Sequence, residues 1–186
     1  MNKGVFVDLQ GTLGGDPYGN ITDFYFFENS KKSLKLLSSA GFLLFVITNQ
    51  SQIAKGIITQ QQFDDKAREL KQNLKDEGII LREIYYCPHQ KSDHCICRKP
   101  SPYFPLLAKE KFDLNLAECY FIGDIYRSDI VMAQNVGAHP LLVKTGKGME
   151  SLQQLNGTEE AKTTVVVEDI WAAANYIVNH GTESDK

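Results

Sequence analysis

The sequence predicts an α/β fold in which a mostly parallel β-sheet is covered by helices on both faces. Apolar runs at Val5–Val7, Phe42–Ile47 and Tyr120–Ile122 are typical of strands that are buried on both sides. Segments with apolar residues at helical spacing separate these runs, and such alternation favours a parallel sheet. A chain of 186 residues is most simply one domain, which we expect over residues 1–180, followed by a flexible tail over 181–186.

Capping residues and glycines predict where the helices begin and end. Asn29 or Ser30 can begin a first helix that Gly41 ends, and Asp169 can cap the last helix. The remaining predictions are helices from Thr59 to about Asp76, from Ser101-Pro102 onward and from about Ser128 to Asn135, strands at Leu141–Val143 and Thr164–Val167, and polar loops at Gly14–Phe27 and Thr145–Thr163.

The charge balance argues against a polyanionic or membrane partner. The formal net charge is −3 and no basic run is present, so nothing indicates binding to nucleic acid or to a membrane surface. No apolar run approaches the roughly 20 residues of a spanning helix. Met1–Gly4 runs directly into the first strand and leaves no room for a signal peptide. We therefore expect a cytoplasmic protein, a monomer or weak oligomer, that binds a small molecule.

Polar side chains follow three predicted strands at the points where those strands end. Asp8, Thr48 and Asp124 can meet, because the carboxyl ends of parallel strands share one edge of the sheet. Two carboxylates there suit Mg²⁺, and Asp129 could complete the outer coordination sphere of the ion. A carboxylate at such a position can also act as a nucleophile toward a phosphoryl group. Lys99 could neutralise the charge of that group.

Each of these residues also has an ordinary structural interpretation. Asp8 could begin a turn, Asp129 could cap a helix and Thr48 could make a hydrogen bond at a strand end, while Lys99 could be solvated. Only the joint pattern favours the functional interpretation.

The ordered motifs Asp8-x-x-Gly11-Thr12, Thr48, Lys99 and Gly123-Asp124…Asp129 resemble the four motifs of the haloacid dehalogenase (HAD) phosphohydrolase superfamily. The resemblance implies a Rossmann-like three-layer sandwich with little or no cap domain. It also implies that Asp8 forms an aspartyl-phosphate that water then hydrolyses. Mg²⁺ would bind Asp8, Asp124 and the backbone carbonyl of Gln10.

Further segments resemble the zinc-containing branch of that superfamily, which holds heptose bisphosphate and histidinol-phosphate phosphatases. These are Ile47–Ser51, Cys87-Pro88-His89, Cys95-x-Cys97-Arg98-Lys99-Pro100 and Lys144–Lys147. The resemblance implies that Thr48 and Lys99 hold the phosphoryl group of a small metabolite, a sugar bisphosphate or histidinol phosphate. The rest of the substrate would meet Arg98 and the loop of Asn49, Gln50 and Ser51.

Gln10 departs from the superfamily motif, which has an aspartate there as general acid and base. An amide donates hydrogen bonds but does not exchange a proton at neutral pH. Loss of such catalysis typically costs about 10²–10⁴-fold in rate. The sequence therefore allows two hypotheses, a working phosphatase and a catalytically impaired phosphate-binding or regulatory homologue.

Three cysteines and a histidine within one short segment predict a zinc site. Cys87, His89, Cys95 and Cys97 offer three thiolates and an imidazole, a set that suits tetrahedral Zn²⁺. His94 could replace His89, although the family resemblance favours His89. Four protein ligands leave no open position, so this zinc is expected to be structural and to pin Arg98 and Lys99 over the active site. Disulfides are disfavoured in a reducing compartment.

Overall fold

The computed structural model describes residues 1–181 and contains a single fully parallel sheet in that range. Six strands lie in the order β3-β2-β1-β4-β5-β6. The strands are β1 (Gly4–Val7), β2 (Leu43–Asn49), β3 (Leu81–Cys87), β4 (Tyr120–Gly123), β5 (His139–Val143) and β6 (Val165–Val167). The helices are α1 (Ser30–Ser39), α2 (Gln60–Asp76), α3 (Tyr103–Phe112), α4 (Val131–Asn135), α5 (Gly148–Leu155) and α6 (Ile170–Gly181).

Helices cover both faces of the sheet and so form three layers. One face packs against α1, α2 and α6 through residues such as Leu34, Phe63 and Ile177. The other face packs against α3 and α4. Residues 8–29, between β1 and α1, hold one short 3-10 helix (Ile21–Asp23) and no cap domain. The predicted fold class is confirmed.

Three phenylalanines on neighbouring central strands form a stack beneath the carboxyl edge of the sheet. Phe6 pairs in register with Phe45 on β2 and with Phe121 on β4. The ring centroids lie 4.9 and 4.5 Å apart, and all three side chains are buried. Offset contacts of this kind add to the stabilisation from burial. The stack lies below the ends of the three paired strands that carry Thr48 and precede Asp8 and Asp124, and it adds side-chain packing to their backbone register.

Besides small shifts of element ends, such as β2, which includes Thr48 and Asn49, and a 3-10 helix in the Gly14–Phe27 loop, the structure differs from the sequence predictions in four places. The segment Thr145–Thr163 is not a loop throughout, because it contains α5 and a 3-10 turn at Glu160–Lys162. Leu155 of α5 is buried in a small apolar cluster with Tyr126, Ile130 and Leu142, which explains why this helix forms.

The other three differences concern β3, α4 and the tail. β3 was not predicted as a strand. A π-helical turn, Tyr126–Ile130, precedes α4 and begins two residues before Ser128. Gly181 ends α6 and is not part of a tail, whereas residues 182–186 of the predicted tail lie outside the described residues. Within residues 1–181, none of the helices is long and apolar enough to cross a bilayer.

Candidate active site

Three acidic side chains meet at the carboxyl edge of the sheet. Asp8 follows β1, Asp124 follows β4, and Asp129 lies in the π-helical turn. One carboxylate oxygen from each residue lies within 4.8 Å of those from the other two, and all three residues are buried. The shared edge of the sheet therefore brings together Asp8 and Asp124, which are more than 110 positions apart in sequence.

The ammonium group of Lys99 lies inside this acidic cluster. It donates to Asp8 Oδ1 at 2.5 Å, to Asp129 Oδ1 at 2.6 Å and to the carbonyl of Ile47 at 2.9 Å. Burial alone would lower the pKa of Lys99, but Asp129 and Asp8 raise it above its ordinary value. Lys99 is therefore a permanent cation that compensates two of the three carboxylates.

The remaining negative charge makes the cluster suitable for a divalent cation. Burial raises the pKa of Asp8 to about 6, with Lys99 opposing the shift. Burial, followed by repulsion from Asp8 and Asp129, raises the pKa of Asp124 to about 8. Converging carboxylate oxygens are the ligands that Mg²⁺ prefers, and a cation there would relieve this repulsion. The donor set therefore fits the predicted ion.

Two backbone segments close tightly around the Asp124 carboxylate. Thr12 Oγ1 donates to Asp124 Oδ1 at 3.3 Å, and the N–H of Lys147 donates to Oδ2 at 2.8 Å. Gly11 and Gly146 have φ values of +90° and +55°, and a Cβ on either residue would collide with Asp124 Oδ2. Thr12 and Lys147 lie in motifs that the sequence singled out, but only the structure shows what they contact.

Thr48 is reached by a chain of amide groups that begins at Gln10. Gln50 Nε2 donates to Thr48 Oγ1 at 2.9 Å and to Gln10 Oε1 at 3.1 Å. Because the Thr48 hydroxyl accepts from Gln50, its own proton can be donated to a ligand oxygen. Thr48 and Gln50 are both buried, so this arrangement is fixed before any ligand binds.

The Gln10 amide also holds the loop that follows Thr12. Its Nε2 donates to the carbonyl of Asp16 at 3.1 Å and to that of Gly19 at 2.9 Å. Both N–H bonds of the amide are therefore used by backbone acceptors. For the Gln10 side chain, the sequence predicts a lack of acid–base chemistry, and the structure adds a role in loop anchoring.

The predicted substrate-binding residues lie around this edge in different environments. The Asn49 amide pairs with the backbone of Lys99, accepting from its N–H at 3.1 Å and donating to its carbonyl at 3.4 Å. Arg98 Nη1 donates to the carbonyl of His89 at 3.0 Å. Ser51 lies half-buried in the turn after β2. Asn49 thus positions Lys99, while Arg98 is attached to the cysteine segment.

Cys87, His89, Cys95 and Cys97 converge beside Lys99, at the end of edge strand β3. The sulfur–sulfur distances are 3.2 to 3.7 Å, and His89 Nδ1 lies 3.6 Å from Cys87 Sγ and 3.4 Å from Cys97 Sγ. A tetrahedral Zn²⁺ with bonds of about 2.3 Å spaces its thiolates by about 3.8 Å, so the cluster fits.

The surroundings distinguish the ligand candidates from His94, the alternative histidine, and from Cys119, the fourth cysteine. Burial raises the pKa of Cys87, whereas hydrogen bonds from Cys87 and from backbone N–H groups, acting against burial, lower the pKa of Cys95 to about 7. His94 is exposed and outside the cluster. Cys119 is a buried core residue.

Comparisons with known proteins identify the family. The HAD-hydrolase-like family matches residues 96–173. The D-glycero-beta-D-manno-heptose-1,7-bisphosphate 7-phosphatase of Haemophilus ducreyi is 37% identical to this chain over 158 residues, which cover 79% of this chain and 86% of that relative. The chain belongs to the HAD-like hydrolases.

Other HAD-like hydrolases extend the similarity over nearly the whole chain. The enzyme of the same name from Vibrio cholerae is 31% identical over 185 residues, covering 94% of this chain and 95% of its own. The crystal structure of D,D-heptose 1,7-bisphosphate phosphatase from B. bronchiseptica, complexed with magnesium and phosphate, has a TM-score of 0.86 at 27% identity. The matched region covers 96% of this chain and 99% of the B. bronchiseptica chain. The prediction of a HAD-type phosphatase is confirmed at the level of enzyme class.

Proposed function

We propose that the protein is a Mg²⁺-dependent phosphohydrolase that removes one phosphate from a small phosphorylated sugar, with heptose 1,7-bisphosphate as the first substrate to test. The observation that carries this proposal is the convergence of Asp8, Asp124 and Asp129 around the Lys99 ammonium. The names of the relatives support the substrate class, and the magnesium and phosphate of the B. bronchiseptica structure support the ligands.

In the proposed reaction, a carboxylate oxygen of Asp8 attacks phosphorus, and the bond from phosphorus to the sugar oxygen breaks. The sugar oxygen leaves with the bonding electron pair and takes a proton from solvent water, since the Gln10 amide does not supply one. Water then attacks the resulting aspartyl-phosphate, which releases phosphate and regenerates Asp8. Lys99 and the Thr48 hydroxyl hold the phosphoryl oxygens. Mg²⁺, bound by Asp8, Asp124 and the backbone carbonyl of Gln10 with Asp129 nearby, would neutralise the charge that develops.

We also propose that Cys87, His89, Cys95 and Cys97 bind a structural Zn²⁺. The ion would have four protein ligands and no open position. Since Arg98 and Lys99 directly follow Cys97, the ion would hold both cations at the site. Reduced cysteines of this kind are expected in a cytoplasmic protein.

The test of the function is phosphate release from heptose 1,7-bisphosphate, histidinol phosphate and acetyl phosphate with and without Mg²⁺. We expect Mg²⁺-dependent turnover that Asp8→Asn abolishes. Borohydride should reduce the trapped aspartyl-phosphate, and mass spectrometry should locate the product at Asp8. Asp113→Asn, an exposed change outside the site, is the control. Turnover that persists in Asp8→Asn would contradict the mechanism.

Gln10 favours a second candidate, a phosphate-binding regulatory protein with little turnover. Both N–H bonds of its amide are held by carbonyl groups, and an amide does not relay a proton. If this candidate is right, the unaltered protein binds phosphate but turns over slowly, and Gln10→Asp raises the rate by about 10²–10⁴-fold. Efficient turnover by the unaltered protein would exclude it.

A further inference from the structure

Helix α3 is apolar on two opposite sides. Phe104 and Ala108 are buried against the sheet. Helical spacing places Tyr103, Leu106 and Leu107 on the other side, where they are 41%, 45% and 40% exposed. A helix on a protein surface normally turns a polar face to solvent, and a helix that is apolar all round is normally covered. The exposed side of α3 is therefore a candidate interaction surface.

Two neighbouring features enlarge this apolar surface. Ile96 is 71% exposed, and its carbonyl accepts a hydrogen bond from Ser101 Oγ, which places it beside the beginning of α3. A groove of about 510 Å³ lies next to Leu106 and is also lined by Leu114 and Leu116. Apolar and aromatic side chains at the centre with polar groups at the rim are the usual composition of a protein–protein interface. The surface is thus suited to another polypeptide.

The exposed side of α3 carries opposite charges at its two ends. Glu110 lies one turn after the two leucines on the same side, and it forms no ion pair with any residue from 1 to 181. The first turn of α3 has no acidic residue, and its N-cap residue, Pro102, makes no side-chain capping hydrogen bond. Such a helix N-terminus is partly positive and attracts a carboxylate. Lys109 and Lys111 fall on the flanks by helical spacing and can stay hydrated.

A second copy of this surface, turned end for end, complements the first. Rotation by 180° about an axis between Leu106 and Leu107 sets each leucine against its own copy. The same rotation brings Glu110 to the Tyr103 hydroxyl and to the first turn of α3 in the other copy. Each polar contact then forms twice, and the leucines are covered between them. The charges and the apolar residues of α3 therefore fit a second copy of this chain.

We propose that the exposed side of α3, formed by Tyr103, Leu106, Leu107 and Glu110, is the interface of a weak homodimer in which the two helices pack antiparallel across a two-fold axis. The proposal depends neither on the identity of the substrate nor on turnover. One helix pair and its flanking groove give a small interface, so the dimer is expected to form and dissociate reversibly.

The test is sedimentation velocity of the full chain over a range of concentrations. We expect a monomer–dimer equilibrium with a dissociation constant on the order of 10 µM. Leu107→Glu places two carboxylates beside the axis in an apolar centre, so it should raise that constant by at least about 100-fold. Ile80→Glu is the matched control, because Ile80 is a 58% exposed apolar residue between α2 and β3, away from α3. A protein that stays monomeric at about 1 mM would overturn the proposal.

Mixing two oppositely charged variants tests the symmetry of the pairing. Leu107→Lys alone should dissociate the dimer as Leu107→Glu does. An equimolar mixture of the two variants should form a heterodimer, because an ammonium and a carboxylate then lie beside each other at the axis. A mixture that remains monomeric would refute the two-fold packing.

Two further variants test the polar ends of the interface. Tyr103→Phe removes the hydroxyl at both ends and should raise the dissociation constant by about 10-fold. Glu110→Gln keeps the size of the side chain but removes its charge, so it should weaken the dimer most at low salt. Circular dichroism should show an unchanged fold, since these side chains are exposed. A dimer that survives Leu107→Glu, or that neither polar change weakens, would show that α3 is not the interface.

Discussion

At the scale of single residues, the Lys99 ammonium is surrounded by the carboxylates of Asp8 and Asp129 and by the carbonyl of Ile47. The sequence predicts Lys99 as a cation for the phosphoryl group, and its position agrees with that hypothesis. Lys99 also stabilises the folded protein before any substrate binds. Buried carboxylates are tolerated only when they are compensated, and Lys99 compensates two of them.

We expect Lys99→Met to destabilise the metal-free protein by about 3–5 kcal/mol at neutral pH, because the change leaves buried carboxylates unpaired. Lys111→Met is the matched control, since the Lys111–Glu83 pair is largely exposed and should contribute less than about 1 kcal/mol. Urea unfolding of both variants measures the difference. Similar losses for the two lysines would contradict the electrostatic role of Lys99.

We expect Gly146→Ala to weaken Mg²⁺ binding and to lower turnover by at least about 10-fold, because the added Cβ would displace the Asp124 carboxylate. Gly157→Ala is the control, since Gly157 also has a positive φ, +79°, but has no atom within 4 Å of the added Cβ. Both changes should cost about 1–2 kcal/mol of stability from the left-handed backbone, and Gly146→Ala should cost more because its Cβ would also lie 2.6 Å from Gly11 Cα. Mg²⁺ titration followed by calorimetry separates the two effects.

At the scale of elements, the segment from Cys87 to Cys97 links an edge strand to the centre of the site. The N–H of Gln50, which follows β2, donates to the carbonyl of Cys87 at the end of β3 at 2.7 Å. Gln50 in turn contacts Thr48 through its side chain. The same segment continues into Arg98 and Lys99. We therefore expect a change at the cysteines to reach Thr48 and Lys99 by two routes, through Gln50 and along the chain.

We expect Cys95→Ser, or removal of zinc by a strong chelator, to lower activity strongly. The same change should lower the free energy of unfolding of the sheet core only slightly. The physical reason is that the loop to Lys99 loses its fixed point. Metal analysis should find one zinc per chain in the unaltered protein and less in the variant. Cys119→Ser, a buried cysteine outside the cluster, controls for loss of a thiol. Zinc content unchanged in Cys95→Ser would contradict the assignment of this ligand.

The strands and helices that could be predicted from sequence are those with an uninterrupted pattern. β1, β2 and β4 are apolar on both faces, and the Thr59 capping box marks the start of α2. β3 escaped prediction because Arg82 and Glu83 interrupt its apolar residues, as an edge strand allows. α5 escaped because its amphipathic pattern is short and lies among polar residues.

In the site too, some features could be predicted from sequence and others could not. Asp8, Thr48 and Asp124 could be grouped from sequence because the carboxyl ends of parallel strands share one edge of the sheet. The contacts of Gln10 with Asp16 and Gly19, and of Lys147 with Tyr18, depend on loop geometry. No spacing rule encodes that geometry, so these contacts required the structure.

At the scale of the whole molecule, the buried acids couple the site to global stability. The pKa of Asp8 is raised from 3.8 to about 6 and that of Asp124 from 3.8 to about 8. At pH values between about 4 and about 8, the folded state therefore binds more protons than the unfolded state. The free energy of unfolding of the metal-free protein therefore falls as the pH rises from about 4 to about 8, and these groups change it no further above that range.

We expect Mg²⁺ to reverse this trend, because it binds the ionised carboxylates of the folded state only. The increase in Tm caused by Mg²⁺ should be larger at pH 8 than at pH 5, as measured by calorimetry across that range. Asp124→Asn should remove most of the Mg²⁺ effect and flatten the pH dependence without the ion. An equal Mg²⁺ effect at both pH values would show that these acids are not its ligands.

The stack of Phe6, Phe45 and Phe121 has a consequence for how this enzyme can diversify. The rings pack together below the strand ends that carry the acidic cluster, whereas the surfaces that would meet the remainder of a substrate belong to the loops beyond those strands. Substitutions that alter thermal tolerance and substitutions that alter substrate preference are therefore expected to accumulate in separate parts of the chain. The loop of Tyr18 could exchange one specificity for another while the aromatic floor below it stays the same.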